Sequence, residues 1–521
     1  MRKRGVITFM EAIIEQIGSM QMLNHFWLTL FLLIPMVLIS RTVVAGTRYS
    51  PILIIVIFGL TMGYVLMASG VATPGLTEFP LVNFIAGTTT IALIVSFFVG
   101  GQELRKILGG KDLEGEDMIV PSAEETILGT TRTQFVFIFR SFFLLLGIEG
   151  LVRLILGLNA GELSRYYPLI AYIGLVGSII LIDNKAKISN KHLYIRKGVM
   201  EIVAIVGVLL LSFYIATLIR PIIALPQIFF AMLIAAAIGA IFYKYSFGPT
   251  IKSLLFAGIP VVLAANFMVG GSRIGEAFSI EGMNSVLAYG FFGQLLWMFG
   301  GIALLMYFAR TSNVRNLAPG MAGALSHSGL TGACTAGDLG KVAASRAPIM
   351  INIPFFGHVF VFSVLAMSAE RGSLMLGPAM VIVAVGIFLT VLALKNLRNA
   401  SGQDNKEVKA LMQFSFGWQL CAVFGGLTLL SFSVMPMDYA AMAQTAAISH
   451  FGLFAAVQEG MFGESASALI PFIFSMPFLV HPLVFFMFGK AMESNGEMPK
   501  KPVYILLLIG VIGVAYAILA L

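Results

Sequence analysis

Residues 325–341 read LSHSGLTGACTAGDLGK, and residues 448–464, 123 positions further along the chain, read ISHFGLFAAVQEGMFGE. Both stretches contain Ser-His-x-Gly-Leu, and both interrupt apolar runs with glycine and small polar residues. The likeness extends upstream, where residues 294–305 (QLLWMFGGIALL) and 419–430 (QLCAVFGGLTLL) are identical at seven of twelve positions.

The sequences that follow the two Ser-His stretches also align, without a gap, as GKVAASRAPIMINIPFFGHVFVF (340–362) and GESASALIPFIFSMPFLVHPLVF (463–485). Prolines and histidines coincide in pairs: Pro348 with Pro471, Pro354 with Pro477, and His358 with His481. Apolar helices resemble one another by chance, but prolines and histidines at fixed spacing do not. The pattern therefore indicates an internal duplication.

The composition is that of an integral membrane protein. The chain is 58% hydrophobic and 11% charged, with a mean hydropathy of +0.94, which soluble domains do not reach. Apolar runs of about twenty residues, the length that crosses a bilayer as a helix, recur throughout. We expect an all-α polytopic fold with about 14 transmembrane helices. The predicted spans are 23–40, 51–71, 79–101, 134–157, 166–183, 198–219, 225–243, 251–271, 284–309, 347–367, 374–394, 410–433, 465–488 and 502–521.

The duplication divides the chain into four regions. Residues 1–22 read as an interfacial segment, and residues 23–283 as a mainly scaffold transmembrane region with a cytoplasmic loop at 102–133. Core repeat 1 covers residues 284–396, and core repeat 2 covers residues 397–521. The Lys and Arg residues that give the formal charge of +8 lie between apolar runs. Their positions therefore indicate the orientation of the chain in a membrane, and no nucleic-acid partner is predicted.

The distribution of Lys and Arg predicts how the repeats are oriented. If both Ser-His stretches are re-entrant, entering and leaving on one side, 24 of the 33 Lys and Arg fall in cytoplasmic loops, as the positive-inside rule requires. Residues 310–346 then enter from the cytoplasm, whereas residues 431–489, which contain no Lys or Arg, enter from outside. The second repeat is thereby inverted, and both termini lie outside a plasma (inner) membrane. Such inverted repeats, with broken elements at the midplane, are typical of secondary transporters.

The two breaks supply the candidate substrate ligands. Irregular backbone at membrane depth lines cavities or is buried in protein, and freed amides and half-helix N-termini favour an anion. The candidates are the glycines and neutral polar residues of the breaks: Ser326, His327, Ser328, Gly329, Thr331, Thr335, Ser449, His450 and Gly452. Arg346, just after the first break, is the candidate partner of a substrate carboxylate.

Ionisable groups near the breaks are candidates for coupling to an ion. Asp338 and Glu459, with the neighbouring Gln458, are the predicted coupling-ion residues, because an unpaired charge at membrane depth is costly. Capping of helices in wet loop ends is the alternative role. His358 and His481 follow a Pro-Phe pair on what reads as a continuous helix, and we expect them to be structural.

Arg140, Glu149 and Arg153 lie in one predicted span. The i, i+4 spacing of Glu149 and Arg153 favours an internal ion pair. The alternative is that Arg140 acts as a substrate counter-ion.

The paired breaks, SHSGLTGACTAGDLGKVAAS and SHFGLFAAVQEG, resemble the two Gly-His-Gly-type motifs of the sodium/glutamate symporter family, and IPFIFSMPFLVHPLVF (470–485) is similar to a helix of sodium-dependent bicarbonate transporters. The resemblance covers about 240 residues of the core repeats. It implies an elevator-like anion carrier whose core moves against a dimeric scaffold. It also implies that the Ser, His and Gly residues of both breaks line a substrate and sodium site. The chain departs from both families in having more spans, closer motifs, and Ser-His in place of Gly-His.

The expected function is therefore secondary active transport, not enzymatic catalysis. The predicted substrate is a small anion, either an amino acid or dicarboxylate or a bicarbonate-like ion, moved with sodium or protons by a homodimer. No cofactor is expected, apart from sodium as a coupling ion. Two alternatives remain: a metal- or haem-binding membrane subunit that uses the repeated histidines, and a non-transporting membrane scaffold.

Overall fold

The computed structural model describes residues 52–79, 91–108, 191–219, 227–243, 263–335, 339–400, 404–433, 435–458 and 460–519, with scattered positions between 33 and 90. These residues are helical apart from turns, one 3-10 segment and isolated β-bridges. Several predicted features lie outside the described residues: segment 1–22, the loop beyond residue 108, the spans 134–157 and 166–183, and Arg140, Glu149 and Arg153.

The described helices before the repeats are α1 (Ile52–Ala68), α2 (Thr89–Leu108), α3 (Lys191–Ile219), α4 (Gln227–Ile241), a helical stretch at 263–272, and α5 (Ile274–Phe278). Glycines let two pairs of these helices pack backbone to backbone. A Cβ at Gly271 would collide with the backbone of Leu60 in α1, and a Cβ at Gly101 in α2 with the backbone of Ala236 in α4. Small residues at such crossings are typical of helices that associate inside membranes.

The two repeats contain the same series of elements. Each has a long helix, two short helices joined by a tight turn, a long proline-containing segment and a final apolar helix. The first series is α6 (Met283–Tyr307), α7 (Val314–Leu325), α8 (Ser328–Thr335), α9 (Lys341–Arg371) and α10 (Leu376–Asn399). The second is α11 (Asp404–Ser431), α12 (Met437–Ile448), α13 (Phe451–Gln458), α14 (Glu464–Ser475) with α15 (His481–Glu493), and α16 (Lys500–Leu519).

The long proline-containing segment differs between the repeats. Helix α9 runs through Pro354 and His358 without a break. In the second repeat a 3-10 segment at Met476–Leu479 separates α14 from α15, and the two halves are bent by 40°. Pro477 lies in this segment, where its missing N–H and its ring disfavour a regular helix. The expectation of a continuous helix around His481 is therefore wrong, and His481 begins a new helix instead.

Among the described residues, α6, α10, α16 and most of α11 are long and apolar enough to cross a membrane, and the bent pair α14–α15 adds a fifth candidate if it is one span. Helices α10 and α16 expose large apolar side chains along their length, including Phe388 at 67% and Ile512 at 61%. Exposed apolar faces of this size face lipid or a partner protein. The described fold is thus compatible with a polytopic membrane protein.

Several helix ends meet at one end of the bundle, which we call the basic end. The loop after α6 pairs with the loop before α16, where the N–H of Val314 donates to the carbonyl of Gly496 at 2.8 Å. The first turns of α7, α9 and α11 meet there as well. Arg315 and Arg346 each approach Glu407, at 3.8 Å and 3.9 Å respectively. The loop after α6 carries Arg310 at this end, and α7, α10 and α16 contribute Arg315, Arg398 and Lys500.

These contacts define the path of the short helices. Helix α7 starts at the basic end and runs about 18 Å, at about 1.5 Å per residue, before the chain turns at Ser326. Helix α8 then returns the chain to α9, which also starts at the basic end. In the second repeat α11 leads away from the basic end, α12 and α13 follow, and α14–α15 returns to it. The two short-helix pairs therefore approach each other from opposite ends of the bundle.

Candidate functional site

The two Ser-His turns meet inside the bundle. The backbones of His327 and His450 form an isolated antiparallel β-bridge, and both residues are fully buried together with Ser326 and Ser449. Antiparallel pairing of two equivalent residues is what a local two-fold relation between the repeats produces. We call this junction the His-Gln cluster, for Ser326, His327, Ser449, His450, His481, Gln294 and Gln419.

Each turn is built by the same backbone geometry. Ser326 (φ 47°, ψ 40°) and Ser449 (φ 49°, ψ 41°) adopt the left-handed conformation at the ends of α7 and α12. The following N–H groups of His327 and His450 donate back to the carbonyls of Ala322 and Thr445 at 2.9 Å and 3.2 Å. This is the Schellman pattern that closes a helix C-terminus. A left-handed residue other than glycine is uncommon, and its repetition at two buried, equivalent positions points to a functional constraint.

The backbone also sets the tautomer of both histidines. The N–H of Leu330 donates to His327 Nδ1 at 3.0 Å, and the N–H of Leu453 donates to His450 Nδ1 at 3.0 Å. A ring nitrogen that accepts a hydrogen bond carries no proton, so both imidazoles are neutral and hold their hydrogen on Nε2. Each histidine therefore presents an Nε2–H donor to the junction.

A glutamine from the first helix of each repeat receives this donor. The terminal amide of Gln294 lies 2.5 Å from His327 Nε2, and that of Gln419 lies 2.7 Å from His450 Nε2. The orientation of a glutamine amide follows from its hydrogen-bond network. Because the histidine nitrogens donate, the amide oxygen must face them. The Gln419 oxygen then also accepts from the hydroxyl of Ser326 at 3.1 Å, which links the two repeats.

His481 joins the cluster from the second repeat. Its Nε2 lies 2.7 Å from the same atom of Gln294 and 3.0 Å from His327 Nε2, and the residue is fully buried. An Nε2–H on His481 donates to the Gln294 oxygen, which then accepts from both histidines. The His481–His327 contact brings two donors together at this shared oxygen and is not itself a hydrogen bond. The ring packs directly on α8, since a Cβ at Gly329 would lie 2.6 Å from His481 Cε1. Only glycine at position 329 allows this approach.

The cluster leaves polar atoms without partners. With the amides oriented as above, the NH₂ groups of Gln294 and Gln419 occupy positions that have no hydrogen-bond partner in the described part of the chain, and Ser449 Oγ and His481 Nδ1 also lack one there. Buried polar groups are almost always paired. The two glutamine NH₂ groups are therefore unpaired hydrogen-bond donors, and no carboxylate is among their described neighbours. The junction is thus rich in donors. Such a site favours an anion or a carbonyl oxygen.

The predicted substrate ligands divide into three groups. Ser326, His327, Ser449 and His450 lie in the cluster, and Gly329, Thr331 and Gly452 are buried in the helices that start from it. Ser328 and Thr335 are the first and last residues of α8, and their side chains lie outside the described residues. Asp338 and Glu459 lie outside them too.

Two predicted site residues lie away from the cluster. Gln458 is the last residue of α13, and its carbonyl accepts from the Ser467 hydroxyl at 2.6 Å. Arg346 is 1% exposed and lies at the basic end, where its Nη1 donates to Asn316 and lies 3.9 Å from Glu407. Asn316 precedes the turn at Ser326 by ten residues, or about 15 Å of helix. Arg346 thus connects α7, α9 and α11 at their starts.

Sequence reasoning missed Gln294, Gln419 and His481. The glutamines are the first letters of the two matching stretches, and a polar residue duplicated within an otherwise apolar match was the available signal. His481 was interpreted as structural because its helix was expected to be continuous. In the described part of the chain no group of three or more His, Cys, Asp or Glu is placed to hold a metal ion.

Comparison of the chain with known protein families, with curated proteins and with solved structures finds no match. The function of the chain is therefore inferred from the geometry of the His-Gln cluster and from the helices around it.

Proposed function

We propose that this protein is a secondary active transporter for a small anion, with the His-Gln cluster as its substrate site. The observation that carries the proposal is the duplicated, fully buried and donor-rich junction between the two repeats. Donors that are fixed in place before the ligand arrives bind an anion without a large reorganisation cost. Because every cluster residue is buried, a substrate reaches the site only if the surrounding elements move, as alternating access requires.

The proposed topology is an inverted repeat with two re-entrant segments, within a plasma-membrane protein of about 14 transmembrane helices. The paths of α7–α8 and α12–α13 support it, since the first pair begins and ends at the basic end and the second approaches from the opposite end. The Lys and Arg at the basic end favour a cytoplasmic location for that end under the positive-inside rule. In the proposed topology both termini are outside.

The resemblance to sodium/glutamate symporters and sodium-dependent bicarbonate transporters favours an elevator-like homodimer coupled to sodium or protons. Within this proposal Asp338 and Glu459 are the coupling residues, because they are the acidic groups nearest in sequence to α8 and α13. The unpaired amide NH₂ groups suit a carboxylate or bicarbonate, whose oxygens accept two hydrogen bonds side by side. Arg346 is placed outside this proposed site, because it contacts Asn316 and Glu407 at the basic end.

Uptake by purified protein in liposomes tests the proposal. Amino acids, dicarboxylates and bicarbonate are supplied with an imposed sodium or proton gradient, and accumulation that follows one gradient is the expected result. Gln294→Ala, Gln419→Ala, His327→Ala and His450→Ala should each weaken uptake about ten- to a hundred-fold, the equivalent of one hydrogen bond to a charged group at about 1.5–3 kcal/mol.

Gln413→Ala is the matched control, because Gln413 lies on α11 like Gln419 but is exposed and contacts only Asn396 in the described network. Its uptake should equal that of the wild type. Normal uptake per folded molecule in all four cluster variants would show that the cluster is not the substrate site. Flux that ignores both gradients would rule out secondary transport.

A further inference from the structure

A second candidate site lies at the basic end, away from the His-Gln cluster. A cavity of about 540 Å³ opens between the end of α6, the end of α10 and the start of α16. Its lining includes Arg310, Arg398 and Lys500, which come from three separate elements. A lining built from distant parts of the chain is specified by the tertiary structure and not by one basic run.

The three cations are available to a ligand. In the described part of the chain none of them forms an ion pair, and all three are exposed. Glu497, the nearby acid, is engaged by the hydroxyl of Ser312. Lys500 is the first residue of α16, so the N-terminal end of that helix adds partial positive charge at the cavity. The cavity is therefore suited to an anion of more than one negative charge or to a phosphate.

Backbone strain marks the same place. Arg310 has a φ of 54°, a left-handed conformation that is unfavourable for a residue with a side chain. The strained turn follows directly on the end of α6, and the N–H of Thr311 returns to the carbonyl of Leu305 at 3.2 Å. Strained conformations persist where the surroundings or a function require them.

The surroundings of the cavity favour a phospholipid over a soluble phosphate. The cavity lies between the ends of α10 and α16, the two candidate spans with the most exposed apolar surface. Its lining includes Tyr307 and Tyr504, 70% and 42% exposed, and exposed tyrosines are enriched where a helix leaves the hydrocarbon for the headgroup layer. A phospholipid whose acyl chains lie along α10 and α16 has its phosphate at the level of the three cations.

We propose that this cavity binds the phosphate headgroup of an anionic phospholipid. Basic pockets between transmembrane helices on the cytoplasmic side commonly hold such headgroups. This inference needs α10 and α16 to cross a membrane, but it does not depend on what the His-Gln cluster transports.

Native mass spectrometry and thermal unfolding of the purified full-length protein test the site. The protein is prepared in phosphatidylcholine nanodiscs, with or without phosphatidylglycerol, and the lipid retained per protomer is counted after release. We expect phosphatidylglycerol to be retained in preference to phosphatidylcholine and to raise the unfolding temperature. The triple variant Arg310→Gln/Arg398→Gln/Lys500→Gln should retain it at least tenfold less.

The matched control is Lys395→Gln/Lys406→Gln/Lys409→Gln, which removes three exposed cations near the same end without altering the cavity lining. It should retain the lipid like the wild type. Equal loss in both triple variants would show general charge attraction and overturn the proposal. Equal stabilisation by glycerol phosphate or inorganic phosphate alone would assign the cavity to a soluble anion instead of a lipid. Single Arg398→Gln and Lys500→Gln variants, each expected to lose retention severalfold, serve if the first triple variant does not fold.

Discussion

Replacing Gly329 by alanine tests how tightly the two repeats are joined at the His-Gln cluster. The new Cβ would lie 2.6 Å from Cε1 and 2.7 Å from Nδ1 of His481, and 3.3 Å from Cε1 of Phe478. Ordinary van der Waals contact begins near 3.4 Å, so the imidazole must retreat by about 0.8 Å, or α8 must shift by the same amount.

The cost follows from what the imidazole contacts. His481 Nε2 lies 2.7 Å from the Gln294 amide and 3.0 Å from His327 Nε2. Both histidines carry their hydrogen on Nε2, so the hydrogen bond at stake is the one from His481 to Gln294. A retreat of about 0.8 Å away from Gln294 lengthens it to about 3.5 Å, beyond the usual range. Overpacking costs about 1–3 kcal/mol, and a lost buried hydrogen bond costs about 1 kcal/mol. We expect Gly329→Ala to destabilise the protein by about 2–4 kcal/mol. With an unfolding entropy of about 2.1 cal/mol/K per residue over 521 residues, this lowers the unfolding temperature by roughly 2–4 °C.

A double-mutant cycle with His481→Ala isolates this contact. Removing the ring removes the clash, so Gly329→Ala should change the unfolding temperature by less than about 1 °C in that background. Gly377→Ala is the control, because Gly377 is also the second residue of a helix, α10, and nothing lies within 4 Å of its added Cβ. Equal effects of Gly329→Ala with and without the His481 ring would refute the proposed packing.

Three further predictions follow from the described contacts. The Ser449 hydroxyl has no partner in the described residues, and the φ of Ser449 is 49°. Ser449→Gly should therefore preserve or raise the unfolding temperature, whereas Ser449→Val should destabilise the protein by more than about 1 kcal/mol. A lower unfolding temperature for Ser449→Gly would contradict the assignment of backbone strain to this residue. Glu407→Gln should lower stability by removing the buried ion pair with Arg346. Glu407→Leu/Arg346→Met should recover much of the loss in chemical denaturation, and a double variant less stable than Glu407→Gln would contradict this. Single cysteines that replace the exposed residues Arg315 and Glu464 should react with an impermeant maleimide from opposite sides of sealed vesicles. The two native cysteines should give little background labelling because both are buried. Labelling of both positions from the same side would remove the support for an inverted second repeat.

Much of the helical arrangement is predictable from local sequence. Nine of the predicted spans coincide, to within about seven residues at either end, with a described helix or, for 465–488, with the bent pair α14–α15. A span needs about twenty consecutive apolar residues, so it can be recognised in a single stretch of sequence. The Ser-His turns were also visible, since glycine and small polar residues within apolar runs mark places where a helix ends. The prolines and histidines at equivalent positions were enough to recognise the internal duplication from the sequence, before the packing of the two repeats was known.

The contacts across the junction were decided only by the tertiary structure. Gln294 meets His481 over 187 positions of sequence, and Ser326 meets Gln419 over 93. The approach of His481 to Gly329 likewise depends on the bend at Pro477, although the equivalent Pro354 leaves α9 unbroken. Arg346 had been expected near the substrate, yet Asn316 and Glu407 hold it at the basic end. Hydropathy and residue spacing show which segments are apolar and where helices end. Which residues contact each other across segments depends on how all the helices pack together, and a single stretch of sequence does not contain that information.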